Sequence, residues 1–329
     1  MRFVNELQRY RSTAFKDMRF PDFIIGGAPK CGTTSLHFIL KQNADVGMPD
    51  GEVLYFDADD PVTHPDFLHA RDGALEWFDP RRSDAGNVAW YAGRFAPYRD
   101  CKRIGEDSPT YIFSDVAAHR IKALLPDVKL VFLLRDPVKR AYSQYWHMLG
   151  AARATFDFET AIGRAPSITL GSTYFRHLKH FLDIFGPDQV RILLFEDFLS
   201  DQQGFLDGVT DYLGISRMEI EQTETWFNKS VYPRYPMLKA QLNRVGKIVV
   251  GQRYRNHMGK RTGLRERLRN KSHYYWFEYA NHILPTAPKA PPMKPGTARY
   301  LRQHLSERNR GLSELLGRDL GEVWPGFDG

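Results

Sequence analysis

The stretch Pro21-Asp-Phe-Ile-Ile-Gly-Gly-Ala-Pro-Lys-Cys-Gly-Thr-Thr-Ser-Leu36 constrains this chain more than any other. An apolar strand over Phe23 to Ile25 runs into glycines, then a loop carrying Lys30, then Gly32-Thr33-Thr34-Ser35 at the mouth of a helix. Backbone N–H groups at a glycine-rich turn and a helix N-terminus form an anion cradle, usually for a phosphate. The nucleotide-kinase pattern G-x-x-x-x-G-K-[ST] wants a lysine directly after its second glycine. With Gly27 and Gly32 as the two glycines, that place holds Thr33, and the lysine sits inside the loop as Lys30. The cradle is kept while the lysine is moved. The loop is therefore expected to hold a phosphate-type anion other than a nucleoside triphosphate tail.

At 329 residues, 42% hydrophobic and 26% charged, the chain is long enough to bury a sizeable core as one or two domains. No run approaches the ~18 apolar residues of a membrane span. The start, Met1-Arg-Phe-Val-Asn-Glu-Leu-Gln-Arg, has no apolar core of a secretory signal, so a cytoplasmic location is expected if Met1 is the natural start. Two cysteines, Cys31 and Cys101, are too few for a four-cysteine zinc site or a disulfide framework, and no metal is expected. The net charge of +7 is local: Arg253 to Lys271 carries eight basic residues against Glu266 alone, which accounts for all of it. One such patch argues against a general nucleic-acid surface.

Apolar runs at Phe23–Gly27, Lys129–Leu134 and Val190–Phe195 read as strands. Helical patterns at Thr34–Gln42, Val116–Leu125, Val138–Leu149 and Tyr174–Phe185 separate them. The alternation predicts an α/β, P-loop-like three-layer fold, with a central, mainly parallel sheet between helices and ligands beyond the carboxyl ends of its strands. We read 1–329 as one domain. Residues 57–99 form an irregular excursion, 253–271 a basic segment, and 285–295, with five prolines, an extended loop. Thr297 is expected to cap a last helix that buries Tyr300, Leu301, Leu305, Leu312, Leu315 and Leu316.

The second informative segment is Lys129-Leu-Val-Phe-Leu-Leu-Arg-Asp-Pro-Val-Lys-Arg-Ala-Tyr-Ser143. Its strand delivers Arg135 to the ligand edge, and Pro137 suits the first turn of the next helix. Ser143 lies about two turns in. One guanidinium and one hydroxyl can grip the same phosphate, and the arginine fork fits it. The plainer readings are a Walker-B-like strand end, or Arg135 paired with Asp136.

Lysine inside A-P-K-x-G-T-T-S, followed by hhhLRDPxxRxxSxY, resembles the sulfotransferases that use 3′-phosphoadenosine 5′-phosphosulfate (PAPS), most closely the heparan-sulfate and related bacterial branch. The resemblance implies that Lys30, Cys31, Gly32, Thr33, Thr34 and Ser35 bind the 5′-phosphosulfate, and that Arg135 and Ser143 bind the 3′-phosphate. Glu52-Val-Leu-Tyr-Phe-Asp57 is similar to the family's E-V-H-F-F-D element, whose glutamate is the proposed base. Gly105-Glu-Asp-Ser-Pro-Thr-Tyr111 is similar to its G-E-K-S-P-x-Y turn, Gln189–Asp197 to its late strand, and Leu301 to Trp324 to its closing helix. The implied enzyme moves a sulfuryl group to an acceptor hydroxyl of a carbohydrate, lipid or small alcohol, with Glu52 as general base and Lys30 offsetting leaving-group charge.

The departures are informative. Leu54 replaces a histidine and Asp107 a lysine, and the second change is expected to reverse a charge where a sulfated sugar would sit. The family's K-G-R-x-H-P loop has no counterpart. Read without the resemblance, Glu52 is a surface acid after Pro49-Asp50-Gly51, and His37 packs or is exposed, while His64 and His69 are weak acceptor-site candidates. For Cys31, a thiol acidified by Lys30 and the helix dipole competes with a small side chain at a tolerant loop position. Tyr274-Tyr-Trp-Phe277 either walls an acceptor cleft or packs. Two rivals stay open: a kinase or NTPase with a degenerate loop, and a polyanion-binding module acting through 253–271.

Overall fold

The computed structural model describes residues 18–65, 68–71, 73–77, 88–219, 232–250, 268, 271–272, 275–276, 279 and 283–329. Five parallel strands form its centre: β1 (Phe23–Gly27), β2 (Val46–Gly47), β5 (Arg103–Asp107), β6 (Lys129–Leu134) and β7 (Val190–Leu194), in the order β2-β5-β1-β6-β7. β1 is central and every one of its residues is buried, as its unbroken apolar and glycine run requires. Its Ile25 pairs with Asp107 on one side and Val131 on the other, so the ends of β1, β5 and β6 open at one edge.

Helices cover the sheet: α1 (Thr33–Lys41), α3 (Asp115–Leu124), α4 (Pro137–Gly150) and α7 (Tyr174–Phe185) all begin within a residue of where the sequence places them. The Phe132 and Phe181 rings meet at 4.9 Å, locking α7 onto β6. The expected α/β architecture is present.

The excursion contributes a hairpin, β3 (Leu68–Arg71) with β4 (Ala74–Trp77), and a short helix, α2 (Val88–Gly93). Tyr91 and Phe95 at its end are fully buried in the main core. A second apolar cluster joins Val138, Ala141, Tyr145 and Trp146 of α4 to Leu301 and Leu305 of α11 (Pro295–Arg308). The proline-rich stretch is extended as expected, apart from a two-residue ladder of β9 (Thr286–Ala287) with β8 (Tyr232–Pro233).

The last helix departs from expectation. α11 starts at Pro295 after Lys294, and the Thr297 hydroxyl donates to Glu159 at 2.9 Å instead of capping. Tyr300 is exposed, its ring stacked on His304. The helix breaks at Asn309, and Gly311, with φ 89°, starts a separate turn, α12 (Leu312–Leu316). Of the basic segment 253–271, only positions 268 and 271 are among the described residues, so that expectation lies outside them. Of the aromatic quartet, Tyr275 is exposed and Trp276 is buried against Gly246 of α10 (Pro236–Val250), which favours packing for that ring.

Candidate active site

The anion loop runs from the end of β1 to the first turn of α1. Lys30 and Gly32 both take left-handed backbone, at φ 71° and 95°. A Cβ on Gly32 would meet the Phe195 ring at 2.7 Å, so both conformation and space require glycine there. Gly32 offers no side-chain cap to the helix it precedes. The first-turn N–H groups of Thr33, Thr34 and Ser35 are therefore left without a hydrogen-bond partner among the described residues. Thr33 and Ser35 are buried and Thr34 is half-buried.

Three cations converge on this loop. Burial is the largest influence on Lys30 and lowers its pKa; the positive charges of Arg140 and then Arg135 lower it further, against the opposing pull of Glu52. Arg135 donates from Nη1 to the Lys30 carbonyl at 3.4 Å, and its guanidinium lies 5.2 Å from the centre of the Phe195 ring. Asp136 is not its partner. One Asp136 oxygen accepts from the N–H groups of Val138 and Lys139, capping α4, and the other accepts from Arg302 Nη2 at 2.6 Å. Ser143 is half-buried in the second turn of α4.

Arg140 was not singled out from the sequence, yet it is the main brace of the loop. It is 2% exposed and donates to the carbonyls of Pro29 and Ile168, both at 3.0 Å, and of Ser167 at 3.4 Å. A Cβ at Gly171 would overlap its guanidinium. The available signal was phase: Arg140 sits among Val138, Ala141 and Tyr145 on the buried face of α4, where a charge has to be hydrogen-bonded.

Cys31 turns inward. It is fully buried, its sulfur lies 3.8 Å from the Tyr174 hydroxyl, and burial pushes its thiol up to about 11. This corrects the acidified-thiol reading: at Cys31 only the backbone lies on the anion surface. Tyr174 in turn donates to the Arg135 carbonyl at 2.9 Å, tying the two anion segments together.

Glu52 is exposed and within electrostatic reach of Lys30. The segment after it follows the end of β5, with the Val53 N–H donating to the Asp107 carbonyl at 3.2 Å. Asp107 is less open than the sequence suggests. Its side chain is buried, and burial, then Glu52 and Glu106, hold its carboxyl well above the usual carboxylate range. The charge change read from the sequence therefore falls on a buried carboxyl whose ionised form burial disfavours. His37 is 2% exposed at 3.6 Å from Asp107, and burial brings its pKa down to about 4, in keeping with a packing role. His64 is buried with Nε2 3.0 Å from Asp57 Oδ2. His69 sits on β3, opposite Glu76.

A family model described as "Sulfotransferase family" matches residues 21–219, which contain both anion segments and Glu52. The chain belongs to the sulfotransferase family. Among the chain's curated relatives, human "Heparan sulfate glucosamine 3-O-sulfotransferase 3B1" is 30% identical over 230 residues, covering 67% of this chain and 52% of that protein. "Membrane-associated sulfotransferase kil1" of Dictyostelium discoideum is 33% identical over 128 residues, 38% of this chain and 22% of that protein. The chain thus spans about half the length of the heparan-sulfate relatives it matches. A solved sulfotransferase from Alicyclobacillus acidocaldarius shares the fold, with a TM-score of 0.59, 22% identity, and coverage of 93% of this chain and 99% of that one. No described helix is long and apolar enough to cross a membrane.

Proposed function

We propose that this sulfotransferase moves a sulfuryl group from PAPS to an acceptor hydroxyl. The observation that carries the reading is the convergence of Lys30, Arg135 and Arg140 on one loop with open helix N–H groups, beside the exposed carboxylate of Glu52. Uncompensated, these cations repel one another; a bound polyanion relieves them, so the donor set fits a nucleotide bearing phosphate at both ends.

PAPS, when bound, supplies a sulfuryl group already activated on a 5′-phosphate. In this reading Lys30, Gly32, Thr33, Thr34, Ser35 and the Cys31 backbone hold that end, and Arg135 and Ser143 hold the 3′-phosphate. Glu52 takes the proton of the acceptor hydroxyl as its oxygen attacks sulfur, while the Lys30 ammonium offsets charge on the departing phosphate oxygen. The chain contributes placement and fixed charge, the main needs of this class of transfer. Acceptor identity is a separate matter: the relatives named for heparan sulfate 3-O-sulfation support a hydroxyl acceptor, and a buried aspartate at 107 leaves no cation at that position for a sulfated sugar.

The test follows conversion of PAPS to 3′-phosphoadenosine 5′-phosphate (PAP), with water or added alcohols as acceptor. The native chain should release PAP, and Lys30→Ala should lose that release. Native and Lys30→Ala proteins that both leave PAPS at its spontaneous hydrolysis rate would contradict the reading.

A further inference from the structure

Residues 53–56 are held in an unusual way. Four consecutive backbone N–H groups are all bound by the turn that follows β5. Val53 donates to the Asp107 carbonyl at 3.2 Å, Leu54 to Ser108 Oγ at 2.9 Å, and Tyr55 and Phe56 both to Tyr111 Oη, at 2.8 and 3.2 Å. Three of these four bonds end on side-chain hydroxyls. A hydroxyl has a single hydrogen and accepts well only when that hydrogen points elsewhere.

Glu106 determines where those hydrogens point. Its side chain is fully buried, and Oε1 accepts from both Ser108 Oγ at 2.8 Å and Tyr111 Oη at 2.6 Å. With both protons drawn to Oε1, the lone pairs of the two hydroxyls are left facing Leu54, Tyr55 and Phe56. The second oxygen, Oε2, is bound by Tyr91 Oη, which comes from α2. The segment needs such restraint: Leu54 has φ 51°, left-handed backbone that a leucine adopts only when its surroundings impose it. Glu52 lies two residues before this point.

We propose that Glu106 is a positioning residue: by orienting the Ser108 and Tyr111 hydroxyls it holds the 53–56 backbone and so sets where Glu52 stands relative to Lys30. The inference rests on Glu52 being the base. The groups around the Glu106 carboxyl are Tyr91 from α2, Ser108 and Tyr111 from its own turn, Asp57 directly after the segment it holds, and Asp107 beside it in β5. Protonation of Glu106 at Oε2, towards Tyr91, leaves Oε1 free to accept as before. A glutamine can reproduce the arrangement, with its amide oxygen at the Oε1 place. An apolar side chain cannot.

The experiment compares Glu106→Leu, Glu106→Gln and the milder Tyr111→Phe with the native chain on three readouts: amide exchange at Val53 to Phe56, PAP affinity, and PAP release from PAPS with water as acceptor. Glu106→Leu should speed exchange at those four amides at least about tenfold while Ile24 and Ile25 in β1 stay protected. PAP affinity should remain within about twofold, and turnover should fall about 10²-fold, the scale of a misplaced reacting group. Glu106→Gln should restore both protection and turnover. Tyr111→Phe should act on Tyr55 and Phe56 in the same direction, and it decides the matter if Glu106→Leu does not fold. Native exchange at 53–56 in Tyr111→Phe, or native turnover despite lost protection, would overturn the proposal. A Glu52→Gln chain with native turnover would instead overturn the base assignment, leaving the exchange result to stand by itself.

Discussion

Arg140 donates from Nε to the backbone oxygen of Pro29 at 3.0 Å, so a buried guanidinium on α4 fixes the loop that carries Lys30. The two anion segments are thus one mechanical unit. The Tyr174 bond to the Arg135 carbonyl closes it from the other side.

Arg140→Ala should therefore lower stability and weaken PAP binding together. The carbonyls of Pro29, Ser167 and Ile168 would lose their shared donor. Losing hydrogen bonds to a charged group costs ~1.5–3 kcal/mol. Thermal unfolding with a PAP titration checks this, and Gly171→Ala, which intrudes on the same guanidinium, should shift both quantities in the same direction. Unchanged values in Arg140→Ala would show the brace to be dispensable.

Arg135→Ala should discriminate between ligands. Asp136 is committed to Arg302 and to the α4 cap, which leaves Arg135 to the ligand edge. PAP affinity should fall by about 1.5–3 kcal/mol, while adenosine 5′-phosphosulfate, lacking the 3′-phosphate, should lose far less. Equal losses in calorimetric titrations would make Arg135 structural.

Much of this arrangement was legible in the sequence, because β1, β6 and α7 carry their own periodicity. What escaped depends on distant partners. β5 reads Arg-Ile-Gly-Glu-Asp, too polar for a central strand, yet Glu106 is buried there because three hydroxyls bind it, Ser108 and Tyr111 from its own turn and Tyr91 from α2. The break after α11 was invisible for the same reason. Asn309 is fully buried, accepting from the Tyr174 N–H at 2.6 Å and donating to the Ser172 carbonyl at 2.8 Å, so it joins two helices far apart in sequence. Motif spacing pointed to Lys30 and Arg135, whereas Glu52 was reached only through the family resemblance. The raised pKa of Asp107 and the inward turn of Cys31 follow from burial, which spacing does not report.

Glu106 should leave a signature in stability against pH. Burial raises its carboxyl from an ordinary 4.5 to about 7. Between these values the folded chain holds a proton that the unfolded chain has lost, so stability falls as pH rises through the window and levels off above it. Its share is about 3 kcal/mol. Denaturant unfolding at pH 5 and pH 8 should show native stability decreasing more than that of Glu106→Gln. Parallel curves for the two proteins would contradict the assignment.

Glu52→Gln should separate chemistry from binding. The amide keeps the size of the side chain and removes the base, which typically costs ~10²–10⁴-fold in rate. PAP affinity should stay near native while PAP release from PAPS collapses. A near-native rate would place the base elsewhere, with the buried His64 beside Asp57 the next residue to substitute.

The central claim is that the loop and Arg135 together hold a 3′-phosphorylated adenosine nucleotide, and the melting temperature of the native chain with PAP in magnesium-free buffer tests it most directly. A ligand at ~100 times its dissociation constant adds about 2.7 kcal/mol to folding stability, so the account expects a clear rise of several degrees with PAP and little or none with ATP. No shift with PAP alongside a rise with magnesium-ATP would contradict it and make the loop a nucleoside-triphosphate site.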